Sequence, residues 1–430
     1  MSRIGIFPFL GRGHLNPLAA LGRKLAQEGH SVTVFHLLMA RPAIKRAGLQ
    51  FCRIDVNDPP DTVHVPSVKP GQPRWAATRD VVSSQIKRVL REGPKSVEAN
   101  HIEFMIIDQS DLAAGSVADA LGIPFASVGC APPLFMDPNV PLSYFGWGGS
   151  TSIVTKIKTY ASNLAVRRVT EPLIKAINVF RRTNKLETLV DLGDTLSKRA
   201  VITQIPKFFD LPRRTYPPQL FYTGPFRDAY EDCMVKFPWD RLNGKPIVFA
   251  SLGTVHNNDP KPFRTMAEAC AQLDVQLVIS LGGGSLLPET LDGLAGRPII
   301  VEYAPQRELL KKAVLAINCA GLNTTLDAIA AGVPLVAIPI AEDQPGVAAR
   351  ISRAGVGTIV PLRHLATSTL RSAIDTVLGR AEYNNNVKQL ATRFNQIDGV
   401  AEAVSIFHDA VTPLSASKRE ELPNESLQPS

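Results

Sequence analysis

The stretch INCAGLNTTLDAIAAGVPLVAIPIAEDQPGVAAR, residues 317–350, decides how the second half of the chain folds. The apolar run AVLAINC at 313–319 leads into it and reads as a buried strand ending at a glycine turn. Asn323 opens a helix over 323–331, PLVAIPI supplies another strand, and Gln344 starts a helix that runs to Ala354. Strand and helix in strict alternation imply a parallel, doubly wound sheet. Ligands of such sheets bind past the carboxyl ends of the strands, so the chemistry belongs at the strand-to-helix turns.

Upstream, PIVFASLGT, a helix at 260–273, VQLVIS and RPIIVEY continue the same alternation. The first half repeats it. Strand patterns are RIGIFPF at 3–9, SVTVFHLL, FMIID at 104–108, PFASV, AVITQ and YTGPF at 222–226. Asn16 and Pro17 read as the cap and first position of a helix that Gly29 stops. Between Pro132 and about Arg199 the pattern loosens. The expected fold is α/β, with two Rossmann-like domains facing a shared cleft. The N-terminal domain spans 1–225, a linker 226–240 and the C-terminal domain 241–412; the polar tail 413–430 is expected to be disordered.

Three turns carry polar residues suited to chemistry. In LGRGHLNP, His14 follows strand one, where a neutral imidazole can take a proton from a hydroxyl. Asp108, which ends FMIID, is the best partner to fix its tautomer; Asp111 is second, or simply caps the next helix. Gly11 and Gly13 make only a Gly-x-Gly, so a dinucleotide-binding dehydrogenase is disfavoured. Ser251 to Thr254 form a small turn whose N–H groups can approach a phosphate. The third turn, Asn318 to Asn323, presents a helix N-terminus suited to a diphosphate. Asp327 lies one helical turn on, within reach of ribose hydroxyls. The acid–amide pair Asp343–Gln344 suits vicinal sugar hydroxyls, and Tyr303 and Gln306 offer a stacking face and an amide to a base. Any one of these has an ordinary structural reading; their order along the chain does not.

These residues resemble the UDP-dependent family-1 glycosyltransferases of the GT-B fold, on the bacterial side near the zeaxanthin and macrolide glycosyltransferases. The resemblance covers nearly the whole chain to about residue 410, and YAPQ…NCAGLNTTLDAIAAGVPLVAIPIAEDQ and GHLNP carry it. It implies His14 as general base and Asp108 as its orienter. Tyr303 and Gln306 would hold the nucleoside and Asp327 the ribose. Asp343 and Gln344 would hold the sugar, while Ser251, Thr254, Gly321, Asn323 and Thr324 line the diphosphate. The implied reaction is an inverting, metal-independent transfer of a hexose, glucose first, from a UDP-sugar that acts as co-substrate, with no other cofactor. Cys319 departs from the pattern, because the family usually has histidine there and a thiol is a weaker donor. It is the only support for one alternative, a protein of the same fold that binds a nucleotide or lipophilic ligand without turnover, which the His14–Asp108 pair opposes; a nucleotide-sugar epimerase is less favoured still, because GHLNP and AEDQ argue against it.

The acceptor side falls in the loosened segment. Phe9, Phe135, Tyr144, Phe145 and Trp147 could line an apolar cavity, so the expected acceptor is a small lipophilic or aromatic molecule with a free hydroxyl. Residues 151–200 hold ten Lys or Arg against four Asp or Glu. That excess could rest on anionic lipid as a weak peripheral contact, although a solvated basic face is the more ordinary reading. A net charge of +8 over 430 residues needs no nucleic-acid partner. Five scattered cysteines point to a reducing, cytoplasmic compartment.

Overall fold

The computed structural model describes residues 1–58, 74–149, 152–228, 230, 235–255, 257–283 and 286–411. The tail expected at 413–430 lies outside the described residues. The first half contains β1 (Arg3–Phe7), α1 (Arg12–Gln27), β2 (Ser31–His36), α2 (Arg41–Arg46), β3 (Gln50–Arg53), α3 (Arg74–Ala99) and β4 (Phe104–Asp108). It continues with α4 (Ala114–Leu121), β5 (Phe125–Gly129), α5 (Ile153–Thr183), β6 (Val201–Thr203) and β7 (Leu220–Tyr222). Its seven strands are all parallel, in the order β3-β2-β1-β4-β5-β6-β7.

The second half contains β8 (Ile247–Ser251), α6 (Pro260–Cys270), β9 (Gln276–Ser280), β10 (Ile299–Val301), α7 (Gln306–Leu310), β11 (Ala313–Asn318) and α8 (Leu322–Ala330). It ends with β12 (Leu335–Ala337), α9 (Gln344–Arg353), β13 (Gly357–Ile359), α10 (Thr367–Gly379), α11 (Ala381–Phe394) and α12 (Gly399–Val411). Its sheet is also parallel, ordered β10-β9-β8-β11-β12-β13. Along β8, Ile247 and Phe249 enter one apolar layer while Val248 and Ala250 enter the other. Burial on both faces is why this strand reads as a continuous hydrophobic run.

Each sheet reverses direction once, between β1 and β4 in the first and between β8 and β11 in the second. The turns singled out from sequence leave three of these strands, β1, β8 and β11, and Asp108 ends the fourth, β4. That is where two diverging crossovers open a crevice.

Several expectations need correction. The first helix starts at Arg12, before Asn16, and Pro17 lies inside it. YTGPF is mostly loop, because the strand ends at Tyr222. The segment that loosened beyond Pro132 holds the 31-residue α5. The expected C-terminal domain of 241–412 does not keep its last helix. Val400, Val404 and Phe407 of α12 pack in the first domain's core with Leu18, Val128 and Ile202. The N-terminal sheet has an apolar layer that this returning helix completes beside α1.

Candidate active site

One cavity of about 1630 Å³ lies between the sheets. It exceeds a drug-sized pocket of roughly 300–1,000 Å³, which leaves room for two substrates. His14, Ser251, Thr254, Tyr303, Gln306, Cys319, Gly321, Asn323, Thr324, Asp327, Asp343 and Gln344 all line it, as do Phe9, Tyr144 and Phe145. Phe135 and Trp147 do not. Phe135 packs with Leu134, Leu196 and Val201, and the Trp147 indole donates to Thr159 at 3.5 Å.

His14 sits in the first turn of α1, just beyond Gly11, whose φ of +96° is the left-handed geometry a tight turn needs. Its Nδ1 lies 2.8 Å from Asp108 Oδ2. A carboxylate only accepts, so Nδ1 carries the proton and Nε2 keeps its lone pair. Asp108 is fully buried, and its other oxygen accepts from the Ser110 N–H at 2.8 Å. Burial works against charge on His14. Asp108, joined by Asp343 and Glu342, more than offsets it, so the imidazole's pKa is raised. The structure separates the two carboxylates the sequence left open. Asp111 accepts from the Ala113 and Ala114 N–H groups and from Gln85 Nε2, so it anchors the entry to α4.

On the facing domain, α8 begins at Leu322 with Gly321 as an N-cap that has no side chain to offer. The first N–H groups of the helix are therefore left for an anion. The Asn323 side chain is not available to a diphosphate. Its Nδ2 donates to the Gly13 carbonyl at 2.7 Å, and its Oδ1 accepts from Gln204 Nε2 at 2.7 Å. Only its backbone can serve the ligand. Cys319 is 3% exposed beside Gly253, and burial pushes its thiol up to about 12. It stays neutral, so it neither repels a phosphate nor acts as a thiolate.

The expected nucleoside residues contact one another. Gln306 Nε2 donates to Asp327 Oδ2 at 2.6 Å, Thr324 Oγ1 donates to Gln306 Oε1 at 3.0 Å, and Arg227 pairs with Asp327 at 2.6 Å. Tyr303 carries the Arg12 guanidinium 4.1 Å from its ring centre. Arg12 and Arg227 were missed from sequence: Arg12 lies in LGRGHLNP but nothing local pairs it with Tyr303, and Arg227 belongs to no local pattern.

Asp343 precedes α9, partly open to the cavity yet ringed by protein. Burial pushes it up to about 6 against the pull of His14, with Glu342 adding. The Gln344 amide oxygen accepts from the Ile340 and Ala341 N–H groups at 2.8 and 3.1 Å, which shapes the turn. Glu342, φ +51°, accepts from Thr78 Oγ1 of α3 at 3.0 Å across the cleft. The double acid in AEDQ was the only signal for it. Behind the site, buried Arg350 of α9 pairs with buried Asp210 of the first domain, which also accepts from Tyr222 at 2.6 Å.

Possible metal ligands converge twice among the described residues: His14, Asp108 and Cys130 in the cleft, and Glu28, His30 and His408 outside it. In the first group Asp108 already holds His14. Burial keeps the Cys130 thiol protonated, and it donates to the His14 carbonyl at 3.7 Å. That set fits an oriented base better than a metal.

The model of the family described as UDP-glucoronosyl and UDP-glucosyl transferase matches residues 134–396, more than half of the chain. The zeaxanthin glucosyltransferase of Pantoea ananas is 27% identical over 93% of both chains. That of Pseudescherichia vulneris is 29% identical over 77% of this chain and 79% of its own. The solved glycotransferase of kitacinnamycin superposes with a TM-score of 0.74 at 19% identity, over 95% of this chain and 99% of its own. These matches, with the two facing sheets, make the architecture GT-B. The chain belongs to the UDP-glucoronosyl and UDP-glucosyl transferase family, enzymes that move a sugar from a nucleotide-sugar donor to an acceptor.

Proposed function

We propose that this enzyme transfers a hexose, glucose first, from a UDP-sugar to a hydroxyl of a small lipophilic or aromatic acceptor, with inversion and without a metal. The observation that carries the reading is the 2.8 Å His14–Asp108 pair at the wall of a cavity that also takes in the uncapped start of α8 from the other domain. His14 Nε2 takes the acceptor's proton as the oxygen attacks the anomeric carbon. The bond to the β-phosphate oxygen breaks on the opposite face, and its electron pair leaves with UDP. Attack and departure on opposite faces invert the centre. The N–H groups at the start of α8 receive the charge that grows on the diphosphate.

Asp343 is the group for the sugar hydroxyls, and Tyr303, Gln306 and Asp327 form the nucleoside side. For the base to stack on the Tyr303 face that carries Arg12, the guanidinium must slide off, which brings a cation toward the diphosphate. Phe9, whose ring meets His14 edge-on at 5.3 Å, Tyr144 and Phe145 give the acceptor end its apolar character. The names of the Pantoea and Pseudescherichia relatives support glucose as donor sugar and a lipophilic alcohol as acceptor.

The test mixes the enzyme with UDP-glucose and a panel of phenols, macrolides and carotenoid alcohols, with and without a chelator. Products heavier by one hexosyl group, β-linked by NMR and unaffected by chelation, are expected. An α-linked product overturns inversion, chelator-sensitive transfer overturns metal independence, and hydrolysis without transfer overturns the acceptor reading.

A further inference from the structure

The first half of α5 is amphipathic the wrong way round. Ile153, Ile157, Tyr160 and Leu164 recur at spacings of four, three and four residues, which places them on one helix face. They are 76%, 64%, 74% and 48% exposed, and Val154 beside them is 62% exposed. The opposite face buries Thr159 and Ser162. Single exposed aliphatics are ordinary, but a row of about 16 Å along a helix is a contact surface. Lys156 flanks the row on one side, Lys158 and Arg168 on the other, while Arg167 pairs with Asp191 at 2.7 Å, and no acidic residue occurs between 151 and 170. A few residues further along, Val166, Val169 and Leu173 of the same helix line the cavity.

We infer that this face of α5 docks on a bilayer containing anionic lipid. The apolar row sinks into the boundary between headgroups and acyl chains, and the flanking cations meet lipid phosphates. The docked helix stands between the membrane and the cavity, so a membrane-dissolved alcohol has a short path in. That path rests on the lipophilic-acceptor reading above; the docking does not.

The full-length protein is floated with phosphatidylcholine vesicles, with and without phosphatidylglycerol, at low and high salt. Binding to the anionic vesicles alone, weakening with salt, is expected. Ile157→Glu with Leu164→Glu lowers it more than about tenfold, and Lys156→Glu with Lys158→Glu lowers it by about tenfold or more. Both variants keep the wild-type Tm and transfer to a water-soluble phenol. The inference is overturned by no wild-type binding to anionic vesicles or by undiminished binding of the Ile157/Leu164 variant. A dimer that depends on the row, seen by ultracentrifugation without vesicle binding, also overturns it. Docking that persists while lipophilic alcohols fail as acceptors overturns the acceptor reading alone.

Discussion

Asn323 of the donor domain donates to the Gly13 carbonyl of the other domain at 2.7 Å, beside His14. The acceptor is free because Pro17, four residues along α1, has no N–H to give it. A proline that would normally weaken a helix thus supplies the point at which the second domain takes hold. Asn323→Ala leaves two groups without this partner and is expected to lower kcat/KM about tenfold. Pro17→Ala restores a competing N–H and should reproduce part of that loss while raising the stability of α1. Steady-state kinetics on both variants decide it; unchanged kcat/KM in both would mean that the bond does not set the domain register.

The His14–Asp108 pair predicts a pH profile. A general base works in its neutral form, so kcat/KM rises with pH through the His14 pKa and levels above it. Burial lowers that pKa, and Asp108, with Asp343 and Glu342, raises it by more. Asp108→Asn removes the charge, so the rising limb moves to lower pH while the plateau drops by about 10²- to 10⁴-fold. His14→Ala loses transfer but keeps UDP affinity by calorimetry. An Asp108→Asn limb that moved up, or stayed put, would sever the electrostatic link.

Cys319 is a protonated, buried thiol. Cys319→Ser is expected to change donor KM less than about threefold, since one small neutral side chain replaces another. Cys319→His adds a stronger donor toward the diphosphate and should tighten UDP about tenfold. Calorimetric titration with UDP reads both; weaker UDP binding by Cys319→His would make the thiol an adaptation of this site.

The start of α9 is clamped by a glycine. Gly346 N–H donates to the Ser143 carbonyl at 2.8 Å, and a Cβ on Gly346 would stand 2.5 Å from Ser143 Cα and 2.7 Å from its oxygen. Neither backbone can yield cheaply. Gly346→Ala should cost about 1–3 kcal/mol and raise donor KM more than acceptor KM, because Asp343 shifts with the helix. Thermal unfolding and donor kinetics check this, and an unshifted Tm would show that the loop at 143 gives way freely.

Asp210 ties that same helix to the first domain. Its burial favours the neutral form, but Arg350 and Arg213 outweigh it and hold the carboxyl at about 2. A depressed pKa gives stability that is present above the unfolded value near 3.9 and lost as pH falls through about 2, worth about 2 kcal/mol. Asp210→Asn should be destabilised at pH 7 and lose stability less steeply between those values. Denaturant melts across pH measure it; parallel curves for both proteins would exclude Asp210 as the source.

The sequence by itself determined two doubly wound parallel domains and the cleft-facing turns. Strand ends, glycine turns and helix starts are contiguous, and hydrophobic runs buried on both faces mark parallel strands at once. It also named Asp108 as the first partner for His14, since His14 lies in the turn after the first strand and Asp108 ends FMIID. It missed α5 as a helix because the exposed row at Ile153, Ile157, Tyr160 and Leu164 competes with the buried stripe at Val166, Leu173 and Ile177, so no single apolar face stands out.

Only the tertiary structure decided which polar groups are free. Asn323 reaches Gly13 across 310 residues, Thr78 reaches Glu342 across 264 and Arg350 reaches Asp210 across 140. No period or motif links positions so far apart; they meet because two independently patterned sheets are pressed together. Tertiary packing likewise sent α12 back to the first domain, where an uncovered apolar layer of the sheet received it.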